Sequence, residues 1–205
     1  MNTWLTDTRT SYDTVADSYA DLMRDAIAGN PHLRAALRLF AELVGDGLVA
    51  DVGCGPGHVI AHLTGLGVDV VGLDLSPAMV SIASRNHPRP RFAVGSMTDL
   101  PLADGSVAGV LAWWSLIHVP DESVPLALGH FRRVLRPEGL LMLGYHVGTD
   151  SRLKTSGYGG LPMNVHVHRR TPARTAEWLR ASGFTVVAEI LLDQQAMVFA
   201  RRRGD

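Results

Sequence analysis

The sequence predicts an α/β protein: a Rossmann-like, doubly wound, mostly parallel seven-stranded sheet with the last strand antiparallel and helices on both faces. Three observations carry this. Short apolar runs alternate with helical patterns from residue 48 onward, which implies right-handed crossovers and a parallel sheet. The runs are near-continuously apolar, as strands covered on both faces are. The last two runs, FTVVAEILLD and QAMVFARRR, have no helix between them, so at least one of the pair runs antiparallel.

Taken in order, residues 1–45 read as a helical cap. Within it Asn30 followed by Pro31 is a cap-plus-proline start, and Leu33, Ala36, Leu37 and Phe40 fall on one helical face. Residues 46–205 form the core of what reads as a single domain spanning 1–205. LVADV is the first strand, HVIAHLTGLG a helix closed by glycine, and VDVVGLD the second strand. SPAMVSIASRN follows as a helix capped by Ser76. RFAVG, GVLAWWS and GLLMLGYHV are the third, fourth and fifth strands, with the helix PDESVPLALGHFRRVL before the fifth. TPARTAEWLRASG is the last helix, capped by Thr171. Residues 148–163, glycine-rich and polar, read as a loop beyond the carboxyl end of the fifth strand, where such loops serve as lids.

Composition narrows the function. The net charge of −1 and the pI of about 6.7 give no basic footprint for nucleic acid. Cys54 is the only cysteine, so no intrachain disulfide forms. The N-terminal segment lacks a leader's basic and apolar stretches, and the longest apolar run, Val107 to Val119, is too short for a membrane span. A cytoplasmic protein with no nucleic-acid or membrane partner is expected; its oligomeric state is not readable.

The chemistry concentrates in VADVGCGPGH. Gly53 allows a sharp turn out of the first strand. Gly55 and Gly57 let a ligand lie against bare backbone at a helix N-terminus. Asp74, ending the second strand, can accept hydrogen bonds from both hydroxyls of a ribose and repels a 2′-phosphate. An adenosine-type ligand follows. NAD and S-adenosylmethionine both fit, but a dinucleotide loop reads G-x-G-x-x-G, and here the residue after Pro56-Gly57 is His58. Asp51, just before the loop, could orient the turn or meet an ammonium group.

VADVGCGPGH, GLDLSPAM and VGSMTDLPLADGSVAGVL together resemble the successive motifs of class I S-adenosylmethionine-dependent methyltransferases, in the small-molecule branch called type 11. The resemblance runs from about Tyr12 to the last strand. It implies that Gly53, Gly55 and Gly57 wrap the methionine part and Asp74 holds the ribose. Leu75 and Met79 pack on the adenine, and Ser96 and Met97 meet its polar edge. Tyr12 and Tyr19, on one face of a helix in YDTVADSY, would close over the cofactor. Trp114 and Ser115, after the fourth strand, complete that set. The family often has Asp where Ser96 and Ala108 stand.

The implied reaction is methyl transfer to a small-molecule acceptor by in-line displacement, at O, N or C, leaving S-adenosylhomocysteine. Orientation and water exclusion can do much of this work. A hydroxyl acceptor would want a base. His118, in WWSLIHVPD, occupies a position where family members often carry a histidine facing the substrate, and His146 ends the fifth strand; both are candidate bases. Tyr145, His166 and His168 are candidate substrate contacts, with no metal expected. His58 and His62 read as solvent-facing. Two other readings stand beside this one: an NAD-dependent oxidoreductase on a related sheet, and a catalytically silent protein that binds S-adenosylmethionine.

Overall fold

The structure is a computed structural model and describes residues 3–204. Met1 and Asn2, where the reading of the N-terminal segment began, and Asp205 lie outside the described residues. The chain opens with helices α1 (Thr3–Met23) and α2 (Pro31–Val44). Alternation follows: β1 (Val49–Val52), α3 (His58–Gly65), β2 (Val70–Asp74), α4 (Pro77–Asn86), β3 (Arg91–Val94) and β4 (Val107–Trp113). Two short 3-10 turns, Leu116–His118 and Asp121–Ser123, lead into α5 (Val124–Val134) and β5 (Leu135–His146). After β6 (Ser151–Gly157) and β7 (Leu161–His168) come α6 (Pro172–Ala181), β8 (Phe184–Leu192) and β9 (Gln195–Arg202).

Seven strands form one sheet in the order β3-β2-β1-β4-β5-β9-β8. All neighbours pair in parallel except β9, which runs antiparallel to both β5 and β8. Strand order reverses between β1 and β4, and such a switch point opens a crevice at the strands' carboxyl ends.

Alternation along each strand feeds two cores. Val110, Ala112, Leu141 and Leu143 meet α5 and α6 on one face. Leu111, Leu140 and Met142 meet α2 and α3 on the other. Helix α2 therefore belongs to the sheet's covering layer, through Ala36, Leu37, Phe40 and Val44. Only α1 behaves as a cap, lying on β7 and α4. The expected starts hold: Asn30 accepts from the amides of His32 and Leu33, Ser76 from Met79, and Thr171 from Arg174.

The expected loop at 148–163 is not a loop. It is most of an antiparallel hairpin, β6 with β7, forming a second small sheet. Its turn runs through Tyr158, Gly159 and Gly160, all at positive φ. Met163 and Val165 turn inward against Val15 of α1, while β6 is largely exposed. Only the inward face of β7 is buried, on α1 and the turn at His118, and β6 is exposed, which is why the segment reads as polar.

Candidate active site

A narrow cleft opens beyond the carboxyl ends of β1 to β4, roofed by α1. It encloses about 720 Å³ out to its mouth, of which about 80 Å³ admits the centre of a water molecule. Twelve of the sequence-designated residues line it. They are Tyr12 and Tyr19 from α1, Gly53 and Gly55 after β1, Asp74 and Leu75 at the end of β2, Met79 of α4, and Ser96 and Met97 after β3. Trp114, Ser115 and His118 follow β4.

Its floor is a clamp between two strand ends. Gly53 sits at φ +80°, and a Cβ there would lie 2.2 Å from the Cβ of Ser115. The Ser115 hydroxyl donates to the Val52 carbonyl at 2.6 Å. Asp74 accepts from the Gly55 amide at 2.8 Å through one oxygen and from the Ser76 amide at 2.9 Å through the other. Burial raises its carboxyl, and those backbone bonds offset part of the shift. The loop and the acid are thus one unit, with lone pairs still free on the carboxylate. Ser96 uses its hydroxyl to close its own turn, bonding Thr98 at both the amide and the hydroxyl.

Asp51 lies outside the cleft lining. It is fully buried, and neither carboxylate oxygen has a hydrogen-bond partner among the described residues. Burial, then the nearby Asp74, pushes its carboxyl up to about 8. Gly57 is also outside, at the N-terminus of α3, where a Cβ would press on His87 and Phe92.

His118 is buried and held at both ring nitrogens. Nε2 lies 2.7 Å from the Tyr12 hydroxyl and Nδ1 2.8 Å from the His166 carbonyl oxygen. A carbonyl only accepts, so Nδ1 carries the proton and Tyr12 donates to Nε2. Burial lowers the imidazole to about 4, so it is neutral across the ordinary pH range.

Four expectations need correcting. Tyr145 faces the opposite layer: its hydroxyl donates to Glu189 at 3.0 Å, and it packs in the α5–α6 core. Alternation sends its neighbour His146 the other way, toward the Trp114 ring at 6.3 Å, yet His146 does not line the cleft. His166 and His168 stack on each other, with His166 exposed, on the face of β7 opposite Met163 and Val165; only the His166 carbonyl reaches the site. His58 is not solvent-facing; burial lowers it to about 4. Trp113 and Trp114 both line the cleft, and Trp114 takes a left-handed φ of 50°.

Several contributors were missed. Trp4, Leu5, Thr8 and Arg9 continue the cleft wall along the first turns of α1. Stepping back from Tyr12 by the helical three-to-four spacing would have found them. Asp13 accepts from the Ser76 hydroxyl at 2.6 Å and the Ala78 amide at 3.1 Å, and the Ser11 hydroxyl accepts from the Asn164 amide at 2.8 Å. Ser11, Tyr12 and Asp13 thus tie α1 to β7, to the turn at His118 and to α4. Arg170 is 4% exposed and donates to the carbonyls of Leu116 and Val119 and to Asp121, bracketing His118. No sequence pattern announces it.

Known proteins agree with this geometry. Residues 49–139 match a family model described as a methyltransferase domain. The malonyl-[acyl-carrier protein] O-methyltransferase of Pectobacterium atrosepticum is 37% identical over 45% of this chain and 36% of its own length. A probable S-adenosylmethionine-dependent methyltransferase of Mycolicibacterium smegmatis is 30% identical over 67% of this chain and 52% of its own. The chain therefore spans between about a third and a half of these relatives. The solved structure of the Burkholderia thailandensis 1,6-didemethyltoxoflavin-N1-methyltransferase shares the fold, with a TM-score of 0.76 at 23% identity over 98% of this chain and 90% of that one. Residues 49–139 are thus a methyltransferase domain, and the sheet that carries them has the fold of the S-adenosylmethionine-dependent methyltransferases.

Proposed function

We propose that this protein transfers a methyl group from S-adenosylmethionine to a small-molecule acceptor. The observation that carries the choice of cofactor is Asp51. A fully buried carboxyl without one partner is costly to ionise. Asp51 stands directly behind the lining, close enough to act on Asp74 and Tyr19, and the ammonium of an amino-acid cofactor resting on the glycine loop would supply the missing cation; a dinucleotide would not. In this reading Asp74 holds the ribose, Leu75 and Met79 flank the adenine, and the Gly53–Gly55 backbone carries the methionine part. The sulfonium supplies an electrophilic methyl group. The chain's part is to orient the acceptor and keep water out, which α1 does as a roof. The oxidoreductase reading loses its proton-relay pair, since Lys154 lies 3.7 Å over the Tyr158 ring and neither residue lines the cleft.

Thermal denaturation with S-adenosylhomocysteine tests the reading. At a hundredfold excess over Kd the ligand should add about 2.7 kcal/mol, which raises Tm by roughly 5–10 °C for a chain of this size. A rise with NAD and none with S-adenosylhomocysteine would overturn it.

Asp51 adds a sharper test. At pH 7, below its raised value of about 8, the free protein holds the proton. An ammonium arriving nearby favours the charged form and expels it. Calorimetric titration in two buffers of different ionisation enthalpy should show proton release on binding, and Asp51→Asn should remove it. The same shift makes the unbound protein lose stability as pH climbs from about 4 to about 8. In that window the folded state holds a proton that the unfolded chain has lost. Asp51→Asn should flatten that slope, as read from urea midpoints along the pH series.

A further inference from the structure

We propose that Tyr12 and His118 form a proton relay, through which a hydroxyl acceptor loses its proton as it takes the methyl group. This rests on the methyltransferase reading and narrows it to acceptors whose attacking atom carries a proton, such as a hydroxyl.

The geometry sets every direction. The His166 carbonyl can only accept, so it fixes the proton on Nδ1 at 2.8 Å and leaves Nε2 as a bare acceptor. The group reaching Nε2 is the Tyr12 hydroxyl at 2.7 Å. Tyr12 spends its one proton there, so its oxygen keeps lone pairs, one within reach of the Tyr158 side chain and the other open, and its side chain lines the cleft. A molecule in the cleft can satisfy that oxygen only by donating to it. An acceptor with an O–H does so, and so does one with an N–H; a tertiary amine or a carbanion has no proton to give. Edge contacts with Tyr19, centroids 5.9 Å apart, and with His118, 5.2 Å apart, hold the Tyr12 ring in place.

The step balances. The acceptor oxygen forms its bond to the methyl carbon as the carbon–sulfur bond breaks and its electron pair stays on sulfur. The acceptor proton passes to the Tyr12 oxygen while the Tyr12 proton passes to Nε2, leaving an imidazolium whose Nδ1–H still points at the His166 carbonyl. A positive charge leaves sulfur as one appears on His118, so the buried charge is conserved. Burial keeps the Tyr12 phenol well above its ordinary range, so both protons must move together and no free phenolate stands in the cleft. The charged or titratable side chains acting on His118 from neighbouring elements are Lys154 of β6, His168 of β7 and His146 of β5. None is a carboxylate, so nothing holds His118 protonated in advance.

The test uses the protein labelled with 15N in histidine and saturated with S-adenosylhomocysteine. His118 should show the Nδ1–H tautomer with a hydrogen-bonded Nε2. Tyr12→Phe should move the Nε2 resonance toward that of a free lone pair and leave Nδ1 in place. An Nε2–H tautomer, or an Nε2 signal indifferent to Tyr12→Phe, overturns the relay whether or not any acceptor reacts. Methyl transfer is then read with catechol and 4-hydroxybenzoate as hydroxyl probes and N,N-dimethylaniline as a probe without an acidic proton. A hydroxyl probe should react, and Tyr12→Phe should lower kcat by about 10²–10⁴-fold, with KM and the Kd for S-adenosylhomocysteine held within about threefold. Reaction of dimethylaniline alone, or kcat unchanged in Tyr12→Phe, also overturns the relay. Absence of S-adenosylhomocysteine binding in the unmodified protein would instead refute the methyltransferase reading.

Discussion

Gly53→Ala should abolish binding of S-adenosylhomocysteine and lower Tm by roughly 4–24 °C. The new Cβ would stand 2.2 Å from Ser115 Cβ in a backbone at φ +80°. Strain of that kind costs about 1–3 kcal/mol, and forcing apart a packed contact about 1–3 kcal/mol more. At about 2–4 °C per kcal/mol this gives the range above. The displaced group is the exit of β4, which Ser115 pins to β1 through the Val52 carbonyl, so the floor of the cleft shifts with it. Gly67→Ala is the control. Its φ is +87°, and nothing lies within 4 Å of its added Cβ, so it carries strain without the clash. Calorimetry on both variants checks this. Equal losses of Tm with binding intact in Gly53→Ala would show that the strand clamp does not shape the site.

Arg170→Met should destabilise the protein by about 3 kcal/mol, the lower end for breaking a buried ion pair. Asp121 is 56% exposed on its side chain and can be rehydrated. The heavier loss falls on the Val119 carbonyl, left without its donor, while the Leu116 carbonyl keeps the Val119 amide. Those carbonyls flank His118, whereas Asp74 and the glycine loop lie on other strand ends. Methyl transfer should therefore fall by an order of magnitude or more, while the Kd for S-adenosylhomocysteine stays within about threefold. Urea midpoints and direct titration separate the two effects. A parallel loss of cofactor affinity would mean that Arg170 supports the cleft as a whole.

The fold was readable because its signals are local. Asn30-Pro31, Ser76-Pro77 and Thr171-Pro172 mark helix starts, and strands buried on both faces leave unbroken apolar runs such as GVLAWW. The half of the cleft built on strand ends was readable for the same reason. The loop, Asp74 and Ser96 each follow a strand end in register, and a sheet brings such ends together. The hairpin of β6 and β7 escaped because only one of its strands carries an apolar alternation, Leu161, Met163, Val165 and Val167, which packs on α1 and on the turn at His118 while β6 stays exposed. A turn signal was present in Tyr158-Gly159-Gly160. Tyr145 and His146 show the limit of a rim position: both end β5, and neither lines the cleft. The partners of His118 could not be read at all. Tyr12 lies 106 residues away and the His166 carbonyl 48, and a backbone carbonyl leaves no trace in residue type.

The ties made by Ser11, Tyr12 and Asp13 bear on how α1 opens. Three consecutive residues of a stiff helix grip three separate elements within one turn. A rigid rod that lifts at one of these residues strains the other two, so the three ties act on the seating of the roof as one unit, and a ligand that adds a contact to this turn of α1 reinforces all of them.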